Sequence, residues 1–306
     1  MYDILVAGEL NPDLILSDPN LEPRFGQTEV LVKEAELTFG SSSAIFACGV
    51  ARLGLKVAFI GVVGQDLFGD FILDALQRRG VDTSFVMQEA DRSTGFSVNL
   101  NRGVDRAILT YLGAIDALRA EQVSDQILWQ ARHLHIASYF LQTQLQPGLF
   151  HLFQRARALG LSTSLDTNWD PSGRWAEVAH LLAVTDVFFP NAAEALALSG
   201  VNDVEVAVER LSQAGTTVVL KLGAAGAIAR RGQETAQHPA IPVVVRDTVG
   251  AGDSFDAGFI YGYLQAWELV RCLKLAIACG SLSTREFGGT AAQPTLEEAL
   301  AALETA

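Results

Sequence analysis

"DTVGAGDSFDAGF", residues 247–259, decides how the rest of the chain is read. Gly250, Ala251 and Gly252 run into a carboxylate, Asp253, and then into an apolar repeat in which Phe255 and Phe259 stand four apart. Ala257, Gly258 and Gly262 leave room for close packing, so the spacing predicts a helix beginning near Gly252. The first N–H groups of a helix have no intrahelical partner, and the helix dipole is positive at that end. Glycines let an anion approach those groups without side chains in the way. An aspartate there is also a common helix cap. Two glycines directly before it, however, exceed what a cap requires. The dipole favours an ionised Asp253, and a carboxylate beside a hydroxyl serves as general base, worth about 10²–10⁴-fold.

Outward from this stretch the chain alternates strands and helices. "ILVAG" (4–8) and "KVAFIGVVG" (56–64) read as buried strands, with helical spacing over 42–53 and 70–80. After residue 115 the rhythm gives a helix near 120–131, strand "HLHIAS" and a helix over 147–159. Strands "STSLD" and "DVFFP", helices at 191–199 and 203–214, and strand "TVVLKLG" follow. "AIARR" and "ETAQH" look antiparallel, and helices close the chain over about 252–266, 268–284 and 295–304. Such alternation implies an α/β fold with a mostly parallel sheet covered on both faces. Two regions break it: a turn-rich segment at 11–38, and "TGFSVNLNRGVDRAILTYLG" (94–113), strand-like runs around a hairpin signal. They predict a small β-rich lid, built from insertions at about 11–38 and 93–113 of a single domain spanning 1–306. In open α/β sheets ligands bind beyond the carboxyl ends of the strands. Asn11 and Asp13, Asp166 and Asn168, Asn191 and Glu194, and Lys221 and Gly223 fall at such ends.

Composition narrows the function classes. Hydrophobic residues are 49% and charged residues 19% of 306, which permits a large core and argues against wholesale disorder. A formal charge of -13 argues against nucleic acid or an anionic membrane as the main partner. Cys48, Cys272 and Cys279 are odd in number and lack C-x-x-C spacing, so they read as buried thiols of a reducing compartment. The start, "MYDILVAGEL", has no basic region of a signal peptide, and no apolar run approaches the ~18 residues of a membrane span. A cytoplasmic protein is expected. His133 and His135 share one face of a strand without an evident third ligand, which speaks against a metal there. No G-x-G-x-x-G follows the first strand and no G-x-x-x-x-G-K-[ST] occurs, so neither a dinucleotide fingerprint nor a classical P-loop is present.

The motifs, taken in order, resemble the ribokinase-like, or PfkB-type, carbohydrate kinases. "GELNPD" (8–13), "GVVGQDLFGDFILDALQRRGVD" (61–82), the lid hairpin, "SLDTNWDP" (164–171), N-x-x-E at Asn191–Glu194, "KLGAAGA" (221–227) and G-A-G-D at 250–253 carry the resemblance over nearly the whole chain. It implies a three-layer α/β/α fold and ATP- and Mg²⁺-dependent phosphorylation of a small sugar or sugar acid. In that reading Asp253 is the base, and the amides of Gly250, Ala251 and Gly252 are an anion hole. Asn191 and Glu194 act near Mg²⁺, partly through water. Lys221, Gly223, Gly226 and Thr248 border the nucleotide. Asn11 and Asp13 hold sugar hydroxyls, Gly40 lets the sugar approach, Ser41 offers a hydroxyl, Arg106 reaches in from the lid, and Asn168 lines the cleft. Asp247 leaves a monovalent-cation site, such as K⁺, open beside the anion hole. A homodimer through the lids is implied as well.

The resemblance has departures. In "FGSSSAIFA" Phe39 stands where the family has its first glycine and Ala44 where an asparagine is expected, while Ile277 replaces a frequent asparagine near the nucleotide. The acceptor therefore stays open. A nucleoside kinase of the same superfamily, which Phe39 slightly favours, and a catalytically silent sugar-binding or regulatory protein are the alternatives. For Asn191 and Glu194 a plain helix-capping role also remains, and for Lys221 a solvated strand end.

Overall fold

A computed structural model describes residues 1–102, 105–175 and 178–304. In chain order the strands are β1 (Ile4–Ala7), β2 (Pro12–Ser17), β3 (Glu34–Phe39), β4 (Val57–Gly64), β5 (Asp82–Glu89), β6 (Phe96–Arg102), β7 (Asp105–Tyr111), β8 (His133–Ile136), β9 (Ser162–Leu165), β10 (Val187–Phe188), β11 (Thr217–Lys221), β12 (Ala227–Arg231) and β13 (Glu234–His238). The helices are α1 (Ser42–Arg52), α2 (Leu67–Arg78), α3 (Asp125–Leu128), α4 (Gln146–Ala158), α5 (Val178–Leu182), α6 (Ala192–Ser199), α7 (Val204–Ser212), α8 (Ala251–Leu264), α9 (Leu269–Ser283) and α10 (Leu296–Glu304).

Nine strands form one sheet in the order β13-β12-β11-β10-β9-β8-β1-β4-β5. All neighbours pair in parallel except at the β11–β12 and β12–β13 edge. The period of two along each strand divides the core. Ile4, Val6, Phe189 and Val219 pack with α1, α8 and α9 on one face. Leu5, Ala7, Phe188 and Val218 pack with α4 and α7 on the other. Layers on both faces explain why β1 and β4 are apolar without alternation and buried throughout.

A second sheet of four strands, β3-β2-β6-β7, is the lid-like layer. Its outer pairs are antiparallel, and its central pair, β2 with β6, is parallel. β5 is a strand that local pattern does not announce, because its outward face is polar and half exposed. The helix expected near 120–131 is a single 3₁₀ turn at Ala120–Gln122 followed by the one-turn α3, begun by the Ser124 cap.

Several residues with readings outside the cleft are placed clearly. His133 and His135 lie in the core: His133 Nδ1 and Nε2 pair with the Ser162 and Ser164 hydroxyls, and His135 Nδ1 with Ser164, all at 2.7 Å, while His135 Nε2 has no partner among the described residues. Phe46 stacks on His135 with centroids 3.6 Å apart. Burial drives His133 down to about 3. Cys48, Cys272 and Cys279 are free and buried, and desolvation pushes their thiols up to about 12, 11 and 12. Among the described residues no helix is long and apolar enough to cross a membrane.

Candidate active site

α8 opens at Gly250, whose φ of +69° is left-handed. A Cβ there would stand 2.6 Å from the Gly289 Cα and 2.9 Å from Ile45, so this turn admits glycine alone on two counts. The amides of Gly250, Gly252 and Asp253 have no acceptor among the described residues, whereas that of Ala251 donates to the Thr248 carbonyl at 3.3 Å. The amides left open in this turn therefore include that of Asp253, while that of Ala251, to which the sequence pointed, is engaged. Asp247 fixes the approach to this turn by accepting from the amides of Val249 (3.0 Å) and Gly288 (2.9 Å).

The Asp253 carboxyl is buried in the first turn of α8. Burial, together with the charges of Asp166 and Glu9 and against the pull of Lys221, pushes it up to about 8. Burial thus works against the ionised form that the helix dipole favours. A carboxyl in this range is better matched to taking a proton near neutral pH than an ordinary aspartate.

Lys221 ends β11 and points inward. Its Nζ donates to Asp166 Oδ2 at 2.6 Å and lies 3.3 Å from both oxygens of Asp256. It is no solvated strand end. Burial alone would pull Lys221 down, but Asp166, Asp256 and Glu194 outweigh it and hold the ammonium charged. The same ammonium overcomes the burial of Asp166 and keeps that carboxyl low, while burial and the Asp166 charge raise Asp256.

Asn191 and Glu194 form a reciprocal cap on α6: Asn191 Oδ1 accepts from the Glu194 amide, and Glu194 accepts from the Asn191 amide at 2.9 Å and its Nδ2 at 2.6 Å. The capping role is thus real, yet burial and Asp166 also push Glu194 up to about 7, which places it in the shared field of the cleft. The amide and carboxylate oxygens are hard donors of the kind Mg²⁺ takes.

Beside the cradle lies a cavity of about 550 Å³, lined by Lys221, Gly223, Gly226, Thr248 and Gly252 and walled with apolar Ile241, Val243, Phe255 and Ile277. Its size and apolar lining suit a small organic ligand. The residues read as nucleotide-bordering thus come together here, apart from Asn191.

On the acceptor side, Asp13 takes Asn99 Nδ2 at 2.7 Å and Asn11 Nδ2 at 3.4 Å. Gly40 lies against this group, and a Cβ there would overlap the Asp13 carboxylate and the Asn11 amide. Asn168, at φ +53°, donates to Ser42 Oγ at 2.8 Å, while its Oδ1 is buried with no hydrogen-bond partner among the described residues. Ser42 also lies close enough to Asp253 to work against the rise of its carboxyl. Ser41, read as offering a hydroxyl to the sugar, is instead engaged within the fold: its hydroxyl donates to the Glu9 carbonyl at 2.6 Å and caps α1. Ser43 and Ser138 turn to the buried Glu9 carboxylate. Phe39 is buried in the core under the Arg79 guanidinium, 5.0 Å from its ring, and does not favour a nucleoside. Ala44 is core too; the α1 side chain against the Gly250 turn is Ile45. Arg106 belongs to β7, but its side chain lies outside the described residues.

Comparison with known proteins gives the family and the fold. Residues 1–296 match the model of the pfkB family carbohydrate kinases. A 2-dehydro-3-deoxygluconokinase of Bacillus subtilis is 31% identical over 267 residues, 82% of this chain and 82% of that protein. An adenosine kinase from Sinorhizobium meliloti superposes with a TM-score of 0.84 at 25% identity, covering 100% of this chain and 99% of that one. The ribokinase of Arabidopsis thaliana, solved with ribose and ATP, superposes with a TM-score of 0.85 at 24% identity, covering 99% of each chain. The chain belongs to the pfkB family of carbohydrate kinases, ribokinase-fold enzymes that transfer a phosphoryl group to an alcohol.

Proposed function

We propose that this enzyme moves the γ-phosphoryl group of ATP onto a hydroxyl of a small sugar or sugar acid. One observation carries the reading: the first turn of α8 holds the buried Asp253 carboxyl and the unbonded amides of Gly250, Gly252 and Asp253, beside the apolar cavity that Gly252 lines. The adenine side of ATP fills that cavity and its phosphates lie toward the cradle. Asp13, held by Asn11 and Asn99, and Asn168 grip acceptor hydroxyls. Asp253 takes the proton of the attacking hydroxyl, and the α8 amides stabilise the charge that develops on the migrating group. Glu194 and Asn191 would hold Mg²⁺, which would neutralise phosphate charge when bound. The loop tied by Asp247 would be the place for K⁺. The small sheet closes over the acceptor and excludes water, and two copies pair through it by way of exposed Leu37, Ile108 and Leu109.

The test is an ADP-release assay across pentoses, hexoses, sugar acids and nucleosides, with the native chain and Asp253→Asn. Acceptor-dependent ADP release that the substitution abolishes supports the reading. Calorimetric binding of an acceptor with no ADP release under any condition makes the protein a silent binder instead. Turnover in KCl against tetramethylammonium chloride reads the K⁺ requirement.

A further inference from the structure

Lys221 runs beneath the anion cradle. A Cβ built on Gly252 would stand 3.5 Å from its Nζ, so the ammonium lies alongside the turn whose amides face an incoming phosphate. It also lines the cavity assigned to the nucleotide. Two carboxylates hold it there, and both are almost wholly buried, Asp166 at 4% and Asp256 at 1% exposure. Asp166 arrives from the end of β9, and Asp256 from α8, one turn beyond Asp253. A buried ion pair contributes little net stability, because desolvation offsets its attraction. Two acids on one lysine is thus an expensive way to hold a strand end, and an effective way to fix a cation at one point in a cleft.

We propose that Lys221 is a catalytic cation that meets the phosphoryl group as it leaves ATP, and that Asp166 and Asp256 are positioning residues for its ammonium. The inference rests on the kinase reading above and gives Lys221 a task beyond bordering the nucleotide. In the step, the acceptor oxygen forms a bond to the γ-phosphorus and its proton passes to Asp253. The bond from that phosphorus to the bridging oxygen breaks, and its electron pair leaves with ADP. Lys221 stays protonated and forms no covalent bond; its compact charge offsets the negative charge on the migrating group.

The test compares Lys221→Met and Lys221→Gln with the native chain. The second keeps a donor for Asp166 but no charge, and serves if the first does not fold. kcat, acceptor KM, and the dissociation constants of ATP and ADP by calorimetry are measured. A fall in kcat of about 10²–10³-fold, with ATP affinity weakened about tenfold or more relative to ADP, supports the proposal, since ADP lacks the group that Lys221 meets. A folded variant with kcat within about threefold of native, or equal losses for ATP and ADP, overturns it. Asp256→Asn is expected to lower kcat about tenfold at unchanged acceptor KM; native kcat overturns the positioning role. A native chain whose ADP release no acceptor stimulates overturns the kinase reading, and the ATP-over-ADP comparison alone then decides the Lys221 contact.

Discussion

Asn99, on lid strand β6, donates from Nδ2 to Oδ2 of Asp13 across 2.7 Å. The bond exists because β6 pairs in parallel with β2, where Asp13 stands opposite Ser97 and Ile15 opposite Asn99. A hydrogen bond to a charged acceptor is worth about 1.5–3 kcal/mol. Asn99→Ala is expected to raise the acceptor KM about tenfold or more while kcat stays within about threefold, measured by steady-state kinetics on the best acceptor. An unchanged KM would show that Asp13 is oriented without Asn99.

Gly40→Ala addresses the same group from the other side. The new Cβ would meet the ends of the Asp13 and Asn11 side chains, not backbone, so the fold can yield by turning those groups away. The expected result is a melting temperature within a few degrees of native and an acceptor affinity at least about tenfold weaker, read by calorimetry. A large fall in melting temperature with native affinity would contradict it.

Asp253→Asn is expected to lower kcat by about 10²–10⁴-fold. In the native enzyme kcat/KM should rise with pH through about 8, the value to which burial and Asp166 bring this carboxyl. A profile flat from pH 6 to 9 would exclude Asp253 as the base.

The same group makes a prediction about stability. Its folded value, about 8, lies above the ordinary 3.8, so the folded chain keeps a proton that the unfolded chain releases. The stability it contributes is full below about pH 4 and is lost as pH rises through about 8. Asp253→Asn removes that loss. Its melting temperature should exceed the native one by a few degrees at pH 8.5 and match it near pH 4; a gain of equal size at both pH values would argue against a raised carboxyl.

Leu109→Glu tests the pairing of lids. The side chain is 61% exposed on β7, so the monomer should tolerate the charge. Light scattering is expected to report a dimer for the native chain and a monomer for the variant; a native monomer at micromolar concentration would rule the pairing out.

The sequence made the large sheet and the helix at residue 251 legible because both rest on local pattern: long apolar runs, glycine stops and a phenylalanine repeat. β5 was not legible, since "DTSFVMQE" mixes exposed and half-buried positions. The site divides the same way. Asp253 and the glycines announced themselves, but Asn99 reaches Asp13 only through strand register, and no local rule specifies register between strands more than 80 residues apart. The alternation Ser97-Val98-Asn99-Leu100 did mark a polar face that deserved a partner. Asp256 was findable too, three positions after Asp253 and so on the same helix face. Glu9 gave only the faint signal of an acid directly after a glycine-closed strand. Its four donors, the Ser43 amide and the hydroxyls of Ser41, Ser43 and Ser138, come from segments that only the tertiary fold gathers.

The chain passes from β1 of the large sheet to β2 of the small one through residues 8–11 alone. If the small sheet closes as proposed, so short a bridge carries Asp13 with it while Asp253 stays on α8 against the large sheet. Gripping the acceptor and shutting the door would then be a single movement, and a cleft standing ajar would have only half its grip with which to present an alcohol, or a stray water, to the nucleotide.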